Sequence, residues 1–221
     1  AGIPFAQSLV VAHATPSYYP NPTDLVVEKN YDPETFTLLG AEAFGKAGVD
    51  KRIDVLSTAI YAKLKITDLP QLDLAYAPPY SPAKDPVVVN GFVASNAIYN
   101  GYREMDVVLL RNLLEQGQDL QIVDVRSSLE RDKEGIVPGS ISIDLDELRD
   151  HLNLLDPQKK TVLYCAKGLR GYIGYKILQH NNFKDIFNLA GGYKVWSMYE
   201  RQFPLRTYAD MLMPPNAASI V

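Results

Sequence analysis

Four short apolar runs punctuate the second half of the chain: LQIVDV (120–125), SISIDL (140–145), KTVLYC (160–165) and DIFNL (185–189). Stretches of helical character lie before, between and after them, near 104–115, 127–133, 145–154, 168–180 and 191–202. Strands that alternate with helices cannot close by tight turns, because each helix carries the chain back across the sheet before the next strand begins. The pattern therefore predicts an α/β domain with a largely parallel sheet flanked by helices. Such sheets collect ligands at the carboxyl ends of their strands. The only cysteine of the chain, Cys165, stands at the end of the third run.

The first half reads differently. LVVEKNYDPETFTLLGAEA (25–43) predicts two strands joined around Asp32, Pro33 and Glu34, since apolar runs flank a turn-forming cluster. After Gly48, Val49, Ile53, Leu56, Ile60 and Leu64 recur at three- and four-residue spacing, as one face of an amphipathic helix requires. In the segment that follows, Pro78, Pro79, Pro82 and Pro86 forbid a continuing helix and are expected to hold the chain extended. By itself this half is a small α+β domain with an aromatic-rich surface. At 221 residues the chain has room for two cores, and the composition shift sets the expected boundaries at 1–97, 98–206 and a tail over 207–221.

Charge and cysteine usage exclude several functions. Residues 1–97 hold seven basic and ten acidic side chains and residues 98–221 fifteen and sixteen, so neither half attracts nucleic acid as a whole. No run approaches the roughly 18 apolar residues that cross a bilayer, and AGIPFAQSLV lacks the basic flank of a secretory signal. A cytoplasmic protein without a membrane partner is the expectation. One cysteine allows no internal disulfide, and no Cys/His cluster has the spacing of a structural zinc site, so no metal is expected. His13, His151 and His180 lie far apart and are read as ordinary side chains.

A lone cysteine is more often an inert core residue than a nucleophile. Here four features coincide in YCAKGLRGYIGYKIL: a strand end, a loop with Gly168 and Gly171, the cations Lys167 and Arg170, and the start of a helix. Glycines let the loop curl its backbone N–H groups inward, and the helix start adds the positive end of its dipole. Such a concavity favours an anion, which is the setting that activates a thiolate. Gly168, Gly171 and Gly174 are three apart at both steps, which is not the GxGxxG of a dinucleotide loop.

From Leu120 to Trp196 the chain resembles the rhodanese family, through IVDVR (122–126), IVPGSISI (136–143), CAKGLRG (165–171) and NLAGGYKVW (188–196). The resemblance implies a rhodanese-like fold in which Cys165 carries a persulfide. It also implies that Ala166, Lys167, Gly168, Leu169, Arg170 and Gly171 surround the outer sulfur. One departure is Ile136, where the family commonly has histidine. Phosphatases that resemble this fold span seven residues from cysteine to arginine, whereas Cys165 to Arg170 spans six, so sulfur fits and phosphate does not. A sulfane-sulfur donor and a thiol acceptor are the implied partners.

HATPSYYP (13–20), LLGAEAFGKAGVDKRIDVLSTAI (38–60) and LDLAYAPPYSPAKDPVVVNGFVA (72–94) resemble the C-terminal interface domain of flavin-dependent pyridine nucleotide-disulfide oxidoreductases. Within them the resemblance is nearest to the coenzyme A-disulfide reductase branch that carries a fused rhodanese domain. It implies a homodimer made through residues 1–97, with Tyr18 (Tyr19 as the alternative) and Tyr76 reaching the coenzyme A site of the partner subunit. FAD, NAD(P)H and coenzyme A are implied for a full-length parent, of which this chain is expected to be the C-terminal portion; no cofactor is expected in the chain itself. A non-catalytic dimerisation and partner-binding module is the alternative.

Overall fold

The computed structural model describes residues 2–205, so the tail expected at 207–221 lies outside the described residues. The chain divides into two compact units. One comprises the residues up to Glu104 together with Ala166–Leu169, the other Met105–Cys165 and the residues from Arg170 on.

In the first unit, β1 (Ala6–His13), β2 (Asp24–Tyr31) and β3 (Leu38–Gly45) form an antiparallel sheet in that order. β2, the central strand, buries every second residue, placing Leu25, Val27, Lys29 and Tyr31 on the core face. The predicted hairpin is β2 and β3; its turn is tied by Asp32 Oδ1, which accepts the N–H groups of Glu34 and Thr35 at 2.8 Å each. α1 (Val49–Tyr61) follows Gly48 as expected but stops before Leu64, the chain turning at Lys63 with φ 56°.

The proline-rich segment is where the expectation fails. It does not stay extended: Pro86 opens a 15-residue helix, α2 (Pro86–Asn100). In the first turn proline loses nothing, because that N–H has no intrahelical partner, and the Asp85 carboxylate caps the start by accepting the Val87 N–H at 3.0 Å. Asn90 of α2 donates to the carbonyls of Ser8 and Val27 at 3.0 Å each, tying the helix across β1 and β2. Gly91 is required by packing, since a Cβ there would lie 2.6 Å from Pro70 and 2.9 Å from Leu69. Leu25, Val27, Leu56, Ile66, Leu69 and Val87 form the core.

Two cations are buried with it. Arg52 reaches Asp85 at 2.9 Å and donates to the carbonyls of Ala14 and Gly48 at 3.0 and 3.1 Å, so its charge is paired and most of its donors are used. Lys29 donates to the carbonyl of Val87 at 3.1 Å and is fully buried.

The second unit contains α3 (Val107–Glu115), β5 (Leu120–Asp124), α4 (Ser128–Glu134), β6 (Ile141–Ser142), β7 (Lys160–Tyr164), α5 (Leu169–His180), β8 (Ile186–Leu189) and α6 (Gly192–Gln202). With β4 (Glu104–Met105) the strands make a five-stranded sheet ordered β4-β8-β7-β5-β6, in which β6, β5, β7 and β8 are parallel neighbours. This is the predicted α/β architecture. The helix expected from 104 begins only at Val107, where Asp106 caps it by accepting the Leu109 N–H at 2.8 Å. No α-helix covers 145–154; two short 3₁₀ turns, Leu145–Glu147 and Leu152–Leu154, stand there instead. Within that segment only Leu148 is buried, and a single anchor offers no apolar stripe on which a helix can be packed. No helix among the described residues is long and apolar enough to cross a membrane.

Burial pushes the Lys29 ammonium well below its ordinary pKa, with the Asp85 carboxylate opposing. The unfolded chain therefore binds more protons than the folded one between that lowered value and the usual lysine range, and stability rises with pH through this window. Lys29→Met removes the titrating amine. We expect it to flatten the rise in melting temperature between pH 7 and pH 10, measured by thermal denaturation against the parent chain.

Candidate active site

The end of β5 supplies the frame of the site. Asp124 and Arg126 are both fully buried, and Arg126 binds the Asp124 carboxylate through Nε at 3.0 Å and Nη2 at 2.7 Å. Arg126 also donates to the carbonyl of Gly135 at 2.6 Å and lies 3.9 Å from the centroid of the Tyr193 ring. Tyr193 donates its hydroxyl to the carbonyl of Glu134 at 2.6 Å, and Tyr164 accepts the Val137 N–H at 3.0 Å. The segment 134–137 is thereby fixed against the strand ends of the sheet. The same Tyr193 donates its backbone N–H to the carbonyl of Cys165 at 2.7 Å.

Cys165 follows the last residue of β7, at the carboxyl end of the sheet, and is 2% exposed. Gly168 adopts φ 128°, a conformation L side chains rarely take, and the chain then enters α5 at Leu169. Leu169 is exposed, whereas Ala166, Lys167 and Arg170 are half-buried.

Gly171 has a different purpose from the one the sequence suggested. It is already in the helix, and a Cβ there would lie 2.1 Å from Asn188 Oδ1. One turn on, a Cβ at Gly174 would lie 2.8 Å from Leu163 Cδ2. The two glycines let α5 press onto β7 and β8, which directs its N-terminal end at the strand that ends in Cys165. Asn188 stands beside Leu163 in the parallel register.

Arg170 does not present a bare charge to the thiol. Its Nη1 and Nη2 bind the two oxygens of Glu130 at 2.7 and 2.5 Å, a bidentate pair. Glu130 Oε2 also accepts the backbone N–H and the hydroxyl of Ser127, at 3.0 and 2.9 Å. Arg170 above all, with Ser127, holds the Glu130 carboxyl down to about 2 against the opposing effect of burial. Glu130 in turn raises the Arg170 guanidinium, with a smaller contribution from the Cys165 side chain. The expectation that Lys167 lends its charge to the thiol needs the same correction. Lys167 groups with the first unit, where its Nζ donates to Asp24 Oδ1 at 2.6 Å.

Glu130 and Asn188 were not among the sequence candidates. Glu130 left a signal, because Ser127 followed three residues later by glutamate is a capping box and α4 does start there. Asn188 left none beyond its place in NLAGG. Of the remaining expected residues, Tyr18 and Tyr76 are brought together in the first unit, their hydroxyls 3.4 Å apart and both rings exposed. Ile136 is exposed at the surface of the second unit. No cluster of side chains suited to a metal ion occurs among the described residues.

Comparison with known proteins matches residues 106–199 to the family model described as "Rhodanese-like domain". The coenzyme A disulfide reductase of Staphylococcus haemolyticus is 48% identical over 77 residues, 35% of this chain and 18% of that protein. Its counterpart from Staphylococcus aureus is 46% identical over 83 residues, 38% of this chain and again 18% of the relative. Among solved structures, reduced Bacillus anthracis CoADR-RHD superposes with a TM-score of 0.82 at 36% identity, over 90% of this chain and 35% of that one. An NAD-dependent persulfide reductase from A. fulgidus gives 0.80 at 34% identity, over 88% of this chain and 35% of that one. The chain thus spans under a fifth of the curated relatives and about a third of the solved ones.

Because Gly171 faces buried Asn188, Gly171→Ala is expected to force α5 away from the sheet. The cost should be about 1–3 kcal/mol, typical of an overpacked interior, and is measured as a lowered denaturation midpoint in urea. Gly168→Ala, with open space around its Cβ, meets only the backbone penalty of its positive φ, about 1–3 kcal/mol.

Proposed function

Residues 106–199 are a rhodanese-like domain in a chain homologous to coenzyme A disulfide and persulfide reductases, and on that premise we propose that the chain transfers sulfur through a persulfide on Cys165. The observation that carries this reading is the loop itself: a thiol at the carboxyl end of β7, within electrostatic reach of an arginine five residues on, in a loop one residue shorter than a phosphate requires.

In the first half-reaction the Cys165 thiolate forms a bond to the outer sulfur of a donor. The donor's own sulfur–sulfur bond breaks, and sulfite from thiosulfate, or a thiolate or shortened polysulfide from the other donors, leaves with the electron pair. In the second, an acceptor thiolate attacks the outer sulfur of the persulfide, and Cys165 regains its thiolate. Charge on the outer sulfur is met by the N–H groups of 166–171 and by Arg170. Tyr193 supports the loop from behind through its bond to the Cys165 carbonyl.

The rest of the reading concerns a longer parent. The first unit is the dimerisation domain of a reductase using FAD and NAD(P)H on coenzyme A disulfide, polysulfide or persulfide, within the cytoplasm. Tyr18 and Tyr76, which meet at their hydroxyls, serve the coenzyme A site of the partner subunit in a homodimer. Cys165 would load sulfur and present it to the flavin centre of that parent.

Incubation with thiosulfate or polysulfide is expected to raise the intact mass of the chain by one sulfur atom, and cyanide or a thiol should remove it. Cys165→Ser should gain nothing, since a hydroxyl is neither ionised at neutral pH nor able to form a persulfide. Arg170→Ala should load about 10- to 100-fold more slowly, as the loss of one charge-assisted contact predicts. A parent chain that never gains the sulfur refutes the reading and favours a binding module.

A further inference from the structure

The unexpected partner in this site is Glu130. Its carboxylate is held from its own side, by the N–H and hydroxyl of Ser127, as well as by Arg170. Ser127 follows Arg126, whose pairing with Asp124 is fully buried, so the carboxylate is held next to a buried ion pair at the end of β5. Glu130 and Arg170 have side chains 30% and 36% exposed, so the pair faces the solvent from which a donor must arrive. A donor approaching Cys165 therefore meets a compensated pair where a lone arginine would present a full positive charge.

We propose that Glu130 sets the charge selectivity of the loop, favouring sulfane donors of low charge, such as the persulfide of an organic thiol, over dianions such as thiosulfate. This rests on the reading of Cys165 as the sulfur carrier. Both donors load by the same chemistry: the thiolate bonds to the sulfane sulfur while sulfite, or the organic thiolate, departs with the electron pair. They differ in the charge that must be brought beside Glu130. At a half-exposed site, one neighbouring unit charge changes the rate for an anion by about tenfold, and a dianion feels it twice as strongly in free energy.

The test uses the whole chain and the Glu130→Gln and Glu130→Asp variants, each first checked for an unchanged circular dichroism spectrum. Loading is followed by intact mass with thiosulfate and, separately, with the persulfide of mercaptoethanol. In Glu130→Gln the thiosulfate rate constant should rise about 100-fold and that of the singly charged organic persulfide about tenfold, and added salt should narrow the gap. Glu130→Asp keeps the charge and should keep the discrimination. Equal changes for both donors, or an aspartate variant that behaves like the glutamine one, would overturn the proposal and leave Glu130 a positioning residue for Arg170. A second readout needs no sulfur transfer: the ratio of Cys165 alkylation by iodoacetate to that by iodoacetamide should rise in Glu130→Gln. An unchanged ratio defeats the selectivity role. A raised ratio in a chain that accepts sulfur from neither donor would instead defeat the carrier role while sustaining the electrostatics.

Discussion

The ion pair between Asp124 and Arg126 is withdrawn from water altogether, an arrangement whose desolvation cost is met only when every remaining donor finds a partner. Arg126 meets most of that condition through the carbonyl of Gly135 and the carboxylate of Glu134, with its guanidinium over the Tyr193 ring. Because these partners come from β5, from the segment after α4 and from α6, the pair fixes the relation of three elements around the carboxyl ends of the strands. Cys165 and Glu130 take their positions from that frame, since Tyr193 also holds the Cys165 carbonyl and Ser127, next to Arg126, holds Glu130. Removing either charge alone would strand the other in the interior, so we regard the pair as a specifier of geometry and attribute no net stability to it.

The loop shows how residues of one type can serve different physical ends. Gly168 is needed for its backbone conformation, whereas Gly171 and Gly174 are needed because nothing larger fits between α5 and the sheet. The cations diverge in the same way. Arg170 is paired with Glu130, and Lys167 is engaged by Asp24. The positive charge of both residues is thus largely compensated within the protein itself.

The first unit handles its buried charges less uniformly. Arg52 is matched by Asp85 and two carbonyls, while Lys29 donates to the carbonyl of Val87 and has a lowered pKa. Asp85 links the two, because it also caps α2, and α2 carries the asparagine that joins β1 to β2. The likeness to solved structures covers 90% of the chain in reduced Bacillus anthracis CoADR-RHD and 88% in the NAD-dependent persulfide reductase from A. fulgidus, so both units share in it.

Much of this protein was legible without coordinates. Alternating short strands and helices dictated a parallel α/β sheet, and the position of Cys165 at a strand end, the six-residue step to Arg170 and the Ser127–Glu130 capping signal all depend on neighbours within a few residues. Tertiary structure decided the rest. α2 was hidden because its consecutive Val87, Val88 and Val89 show no helical period, being packed on several sides, and because proline reads as a breaker until its place in the first turn is known. The segment 145–154 had helix-compatible residues but only Leu148 to bury. The pairing of Arg170 with Glu130, the contact that demands Gly171 and the meeting of Tyr18 with Tyr76 join residues 40, 17 and 58 positions apart. Local sequence determines which dihedral angles and periods a segment prefers; which distant side chain meets a given charge is set only when the elements pack.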